Sequence, residues 1–259
     1  MTPRVAGQLA LVTGATAGIG KAIARRLARD GANLVLWARR SRRLARLAEE
    51  ITAETGVTVD TGTVDVSDSD GVRAESEHVI ESIGAPDLVV NNAGVAVGMA
   101  SVQEADIDAW NRMIDTNVKG VLFVSRAFLP AMLARGSGHV VNIGSIAGRQ
   151  VYPRGNVYCA SKYAVRAITE GSNLDLLGSG VRVSGVTPGL VETEFSHVRF
   201  GGDEERARAV YEGANALRPE DVADVVSFVV NTPPHMNVAD VVVFPSSQGS
   251  MHHILRDGG

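Results

Sequence analysis

The chain has 259 residues, 45% hydrophobic and 21% charged, a balance that supports a packed core and argues against disorder as its main state. A formal net charge of -4 gives no overall positive field for nucleic-acid phosphates, and the single cysteine, Cys159, excludes an internal disulfide. No charged-then-apolar leader precedes QLALVTG, and no apolar run approaches the ~18 to 20 residues of a membrane span, so a reducing, cytoplasmic setting without a membrane is expected.

Short β-branched runs alternate along the chain with longer segments of helical spacing. Strands are expected at residues 9–12, 34–37, 57–64, 88–90, 139–143, 181–186 and 238–244, and helices at 21–29, 42–55, 110–135, 158–177 and 219–231. Strand and helix repeated in this way predict an α/β fold, a doubly wound parallel sheet of seven strands with helices on both faces. No linker, low-complexity tract or internal repeat divides it, which gives a single domain over residues 1–259.

In such a sheet ligands bind beyond the carboxyl ends of the strands, where the strand order reverses. After the first strand comes TGATAGIGKAIA, whose Gly14, Gly18 and Gly20 let backbone approach a pyrophosphate beside a new helix N-terminus. The spacing departs from the general G-x-G-x-x-G fingerprint, so the turn alone is weak evidence. The second strand ends in LVLWARR, with Arg39 and Arg40 where an NAD-binding fold carries an acid; guanidinium forks there suit the 2′-phosphate of NADP, although a solvated helix cap would look the same. The basic stretch RRSRRLAR is short and soon followed by Glu49 and Glu50, so no nucleic-acid partner is expected.

Further along come Asp65 and Val66, then NNAG at 91–94, then NIGS ending at Ser145. GSIAG around Ser145 is not the G-x-S-x-G elbow of serine hydrolases. In NVYCASKYAV, Tyr158 and Lys162 stand one helical turn apart and can look into the same space, whereas Cys159 and Ser161 are read as packing residues. GGDEERARAV, near Gly201, reads as a solvated helix face or a flap over substrate. The six histidines, His252 and His253 among them, show no metal-ligand spacing, so no metal is expected.

Together TGATAGIG, NNAG, NIGS, Tyr158 with Lys162, and PGLVET at 188–193 resemble the short-chain dehydrogenase/reductase family, in order, from residue 9 to about residue 244. The resemblance implies a Rossmann-type sheet and a catalytic set of Ser145, Tyr158 and Lys162, with Asn117 of DTNVKG linking Lys162 to solvent through a water. It implies that Gly14, Thr16, Gly18, Ile19 and Gly20 cradle the pyrophosphate, and that Asp65 and Val66 meet the adenine. Asn91, Ala93 and Gly94 would lie along the cofactor, Pro188, Gly189, Val191 and Thr193 would line the nicotinamide, and Tyr158 and Lys162 would touch it too. Arg39 and Arg40 match the NADP-preferring branch.

Elementary electrostatics suits Tyr158 to the role of proton donor. A free phenol near 10 is about three units above neutral pH, roughly 4 kcal/mol. A lysine charge about 4 Å away supplies a similar amount at an effective dielectric of ~20. Ser145 would hydrogen-bond the substrate oxygen beside it.

MIDTNVKG, NIGSIAG, GNVYCASK and PGLVETEFSHVRF resemble the subgroup that oxidises small 3-hydroxy acids, including serine and allo-threonine, with NADP. A small acid needs a cation for its carboxylate, and Arg149, Arg154 and Arg199 are the local candidates, joining Ser145 and Tyr158 in the substrate site. Reduction of 3-oxoacyl thioesters or of small aldehydes and ketones would use the same catalytic residues. A cofactor-sensing regulator without turnover would be expected to have lost Tyr158 or Lys162, and both are present. The resemblance also implies a homo-oligomer, tetramer or dimer, paired through the helices at 110–135 and 158–177.

Overall fold

Strands that are apolar on both faces must be covered on both faces. In the computed structural model, which describes residues 2–256, the chain runs β1 (Leu9–Thr13), α1 (Gly18–Arg29), β2 (Asn33–Ala38), α2 (Ser41–Thr55), β3 (Val59–Thr63), α3 (Ser69–Ser82) and β4 (Leu88–Asn91). It continues through α4 (Ile107–Ile114), a π-helical turn (Asp115–Lys119), α5 (Gly120–Arg135), β5 (Gly138–Ile143), a short 3₁₀ turn (Ile146–Gly148) and α6 (Asn156–Asp175). β6 (Val181–Pro188), α7 (Phe195–Arg199), α8 (Glu204–Ala209), α9 (Pro219–Val230) and β7 (Asp240–Val243) complete it.

The seven strands lie in the order β3-β2-β1-β4-β5-β6-β7, and each neighbouring pair is parallel. The order reverses between β1 and β4, so the crevice forms over their carboxyl ends. Successive strand residues feed opposite cores, as the pleat requires. Val12, Leu36 and Val90 pack with Ile23 and Leu27 of α1, Leu44 of α2 and Val226 of α9. Leu11, Val35 and Val89 pack with Val79 of α3 and Val124, Phe128 and Met132 of α5.

The expected strands and long helices are present with shifted ends. β3 is shorter than the 57–64 run, and β7 shorter than 238–244. The fold adds α3, whose sequence SDGVRAESEHVIES buries only Val72, Ser76 and Val79, too thin an apolar stripe to stand out by periodicity. Its start is fixed by Asp68, whose carboxylate accepts from the Asp70 N–H at 3.1 Å. α4, the π turn and α5 join into a helical stretch, Ile107–Arg135, that is by length and composition sufficient to cross a membrane. This departs from the expectation that no apolar run would be long enough. α5 instead spends Val121, Val124, Phe128 and Met132 on the face of the sheet.

Candidate active site

The glycine turn after β1 is held against the loop after β4. Thr13 Oγ1 accepts from the N–H groups of Asn92 and Ala93, both at 3.0 Å, and Asn92 Nδ2 donates to the Thr13 carbonyl at 2.9 Å. Gly14 has φ +66°, and a Cβ there would lie 2.9 Å from the Ala93 Cα. A Cβ on Gly20 would lie 2.5 Å from the Gly14 carbonyl oxygen. α1 then begins at Gly18 with no side chain capping its first amides. Backbone held this close, beside free helix N–H groups, fits the pyrophosphate of a dinucleotide.

From this turn a cavity of about 700 Å³ runs past the ends of β1, β4, β5 and β6. It is lined at the turn by Gly14, Thr16, Gly18, Ile19 and Gly20, then by Arg39, Arg40, Asp65, Val66, Ala93 and Gly94. Ser145, Tyr158, Lys162, Pro188, Gly189, Val191, Thr193 and Arg199 line the rest. Asn91 does not. Its buried amide donates to Ser125 Oγ at 3.0 Å and Asn142 Oδ1 at 2.9 Å, and the next residue, Asn92, lines the cavity instead. Alternation along β4 accounts for the change of side.

The arginine end carries its own anions. Arg40 donates to Thr16 Oγ1 at 3.1 Å and pairs with Glu194 at 3.5 Å, Arg43 pairs with Glu194 at 3.2 Å, and Arg39 lies 3.6 Å from Asp65. Burial alone would raise the Asp65 carboxyl, but hydrogen bonds from the Ser67 hydroxyl and N–H, with the Arg39 charge, hold it below its ordinary value.

At the other end, Ser145 caps the 3₁₀ turn, its Oγ accepting from the Ala147 N–H at 3.1 Å. The turn is pressed onto α6: a Cβ on Gly148 would lie 2.5 Å from the Lys162 carbonyl oxygen. Lys162 is 7% exposed, and its Nζ donates to the Ile143 carbonyl at 3.0 Å. Burial pushes its amine down to about 8. The Tyr158 phenol is pushed up instead. Burial and the neighbouring Tyr152 outweigh the hydrogen bond with Ser145 and the Arg199 charge. The phenol is therefore not made acidic by the protein's own groups, contrary to the electrostatic expectation, because losing solvent costs the phenolate more than these neighbours return.

Asn117 sits behind the cavity wall, 1% exposed, in the π turn. Its Oδ1 accepts from the Val95 N–H at 2.7 Å, while Nδ2 donates to the Val95 carbonyl at 2.8 Å and to Ser161 Oγ at 2.9 Å. Ser161 in turn donates to the Tyr158 carbonyl at 2.7 Å. Asn117 thus ties the loop after β4 to the helix bearing Tyr158, and Ser161, read as a packing residue, is the link.

The three candidate arginines separate. Arg149 is paired with Asp240 of β7, and Arg154 sits exposed in a loop at φ +62°; neither lines the cavity. Arg199 does. Its Nη2 donates to Tyr152 Oη at 2.7 Å, its Nε to the Gly98 carbonyl at 3.2 Å, and its guanidinium carbon is 5.8 Å from the Tyr158 ring centre. Phe195, one turn earlier on α7, stacks at a tilt on Tyr158 with centroids 5.7 Å apart. Tyr152, Arg112, Glu194 and Arg256 also line the cavity and were not singled out in the sequence. Tyr152, Arg112 and Arg256 lie outside the recurring motifs, and Glu194, although within PGLVETEFSHVRF, carries no role that its spacing reveals; only proximity in space joins them.

The short chain dehydrogenase family model matches residues 8–202. A sulfoacetaldehyde reductase of Chromohalobacter salexigens is 42% identical over 241 residues, 93% of this chain and 95% of that protein. An NADP-dependent 3-hydroxy acid dehydrogenase of Salmonella typhi is 43% identical over 245 residues, 93% of this chain and 96% of that protein. Among solved structures, the closed form of a serine dehydrogenase complexed with NADP+ is similar with a TM-score of 0.87 at 39% identity, over 96% of this chain and 99% of that one.

Proposed function

This chain belongs to the short-chain dehydrogenase family as an NADP-dependent oxidoreductase acting on CH–OH groups, and we propose that its substrates are small 3-hydroxy acids such as serine, allo-threonine or 3-hydroxypropionate. The observation that carries the substrate class is Arg199. Two of its nitrogens are used by Gly98 and Tyr152, Nη1 has no hydrogen-bond partner among the described residues, and the side chain lines a cavity that also holds Ser145 and Tyr158. A guanidinium so anchored can grip a carboxylate while the hydroxyl-bearing carbon lies at Tyr158.

When bound, NADP accepts or supplies the hydride. Gly14, Gly18 and Gly20 would hold its pyrophosphate, Arg39 and Arg40 its 2′-phosphate, and Pro188, Gly189, Val191 and Thr193 its nicotinamide end. Ser145 Oγ accepts from the Ala147 N–H, and its hydroxyl, which faces Tyr158 in the structure, would turn to the substrate oxygen when substrate binds. Tyr158 Oη takes the proton from the substrate hydroxyl in oxidation and returns it to the forming alkoxide in reduction. Lys162, with one N–H on Ile143, would bring positive charge to the same end of the cavity, and Asn117 with Ser161 holds that turn of α6 in place.

A second reading, reduction of a small anionic aldehyde, is favoured by Arg112 and Arg256, which add cations to the same cavity. A sulfonate-bearing aldehyde, the class in the name of the Chromohalobacter relative, would use the same guanidiniums. The reading further places the chain in the cytoplasm as a single-domain homo-oligomer. It is supported by the buried free thiol of Cys159 and by apolar side chains left exposed on the long helices, Leu122, Leu133, Tyr163 and Leu174.

The test is NADPH absorbance with serine, 3-hydroxypropionate, 3-hydroxyisobutyrate, sulfoacetaldehyde and an acetoacetyl thioester. The 3-hydroxy acids should give the highest kcat/KM, and Arg199→Leu should raise their KM about tenfold or more. Preference for the thioester, with KM for the acids unmoved by Arg199→Leu, would overturn the assignment.

A further inference from the structure

At the opposite edge of the sheet, beneath the amino ends of β1, β4, β5 and β6, lies a second cavity of about 320 Å³. Its polar lining comprises Arg4, Gln8, His139, Arg182 and Thr232. Among the described residues no carboxylate lines it. The nearest in sequence, Asp87 beside Leu88, is already engaged by Arg135 at 3.2 Å and by the Leu9 N–H at 2.9 Å.

The donors around this cavity exceed the acceptors. Arg182 uses Nη1 alone, on Thr232 Oγ1 and the Met236 carbonyl, both at 2.8 Å, which leaves Nε and Nη2 without a hydrogen-bond partner among the described residues. Neither Arg182 nor Arg4 forms an ion pair among the described residues. Partial burial lowers the Arg182 guanidinium from its ordinary value, and the charge of Arg4, exposed at the rim, lowers it further, so the two cations repel. His139, 5% exposed, shares Nε2 with Ser184 Oγ at 2.8 Å, and its Nδ1 is buried with no partner among the described residues. The buried unpartnered nitrogen of His139 and the half-buried, unpaired guanidinium of Arg182 are each costly, and one anion, also within reach of the exposed Arg4, would satisfy both.

We propose that this cavity binds a small, doubly charged oxyanion, a phosphate monoester or a dicarboxylate, at a site separate from the catalytic crevice. Arg4 and Arg182 would clamp it from two sides with forked donors. Gln8 adds an amide at the rim, and His139 presents its second ring nitrogen once Ser184 donates to Nε2. The volume is about ten times a water molecule's share of the liquid, room for a small metabolite rather than a single solvent molecule.

Thermal unfolding of the NADP-saturated protein tests this: the cofactor covers Arg39 and Arg40, and loss of the response in Arg4→Ala and Arg182→Gln separates this cavity from the substrate-side arginines, which stay open. Sodium phosphate and sodium malonate are compared with sodium chloride at equal ionic strength. A bound oxyanion should raise Tm by about 2–4 °C and then saturate. Salt exclusion would give an unsaturating rise. Arg4→Ala, at an exposed position, should remove most of the saturable rise while leaving NADP-dependent turnover unchanged. Arg182→Gln should remove it as well, and bound anion should shift the His139 ring ¹⁵N resonances in the parent. A stronger response to phosphate identifies a phosphate monoester as the natural ligand, and a stronger response to malonate a dicarboxylate. A response to neither beyond that of chloride, or one undiminished in Arg4→Ala, overturns the proposal.

Discussion

Lys162 loses nearly all contact with water on folding and retains one hydrogen bond, to the Ile143 carbonyl, which is why its amine falls to about 8. The protonated form is the one that favours proton donation by Tyr158 to an alkoxide. In the reductive direction kcat/KM should therefore be level below pH 8 and decline as pH rises through about 8. A pH–rate profile followed by NADPH consumption checks this, and a flat profile to pH 10 would contradict it. The glycines are equally exposed to test. A methyl group on Gly20 would sit 2.5 Å from the Gly14 oxygen, so Gly20→Ala should weaken NADP binding by about tenfold or more while leaving the fold intact, as read by cofactor titration and circular dichroism. Tyr158, Lys162, Ser145 and the glycine turn were legible because their motifs recur at fixed spacing. The environment of Tyr158 was not, because burial depends on Tyr152, Phe195 and Arg199, which spacing does not bring together.

α7 has only five residues, too short to hold itself, and is secured at both ends by side chains. Glu194, just before it, reaches Arg40 and Arg43, and Arg199 at its far end binds Gly98 and Tyr152. The carboxylate of Glu194 thus occupies guanidiniums that suit a 2′-phosphate. Glu194→Gln should lower KM for NADP by about two- to fivefold, the range of exposed ion pairs, and leave KM for NAD unchanged. Equal changes for both cofactors would contradict this competition. The long helices and the β-branched strands could be read from periodicity, whereas α3 and α7 could not. The first buries a narrow stripe among Asp, Glu and Arg, and the second exists through contacts distant in sequence.

Across the molecule, one sheet carries two polar ends. Its carboxyl edge gathers Ser145, Pro188 and the glycine turn into the crevice, as a reversal of strand order between β1 and β4 dictates. Its amino edge buries His139, whose ring is pushed down to about 3 by burial and, secondarily, by Arg182. Between the ordinary value of 6.5 and about 3 the unfolded chain binds a proton that the folded chain does not, so stability falls as pH drops through that window. The slope is at most about 1.4 kcal/mol per pH unit. Urea midpoints at pH 7.5 and pH 5 in a chloride buffer should differ in the parent and differ less in His139→Gln; equal differences would contradict the assignment. This edge was not legible in the sequence, because Arg4 of the turn before β1 and His139 and Arg182 near the starts of β5 and β6 meet only through the parallel register.

The most direct test of the site is single-turnover oxidation of 3-hydroxypropionate by NADP-loaded parent and Tyr158→Phe, with cofactor affinity measured in parallel. Loss of about 10²–10⁴ in rate at unchanged NADP affinity is the outcome expected of the proton-transferring group. Turnover of the variant at the parental rate would contradict the account.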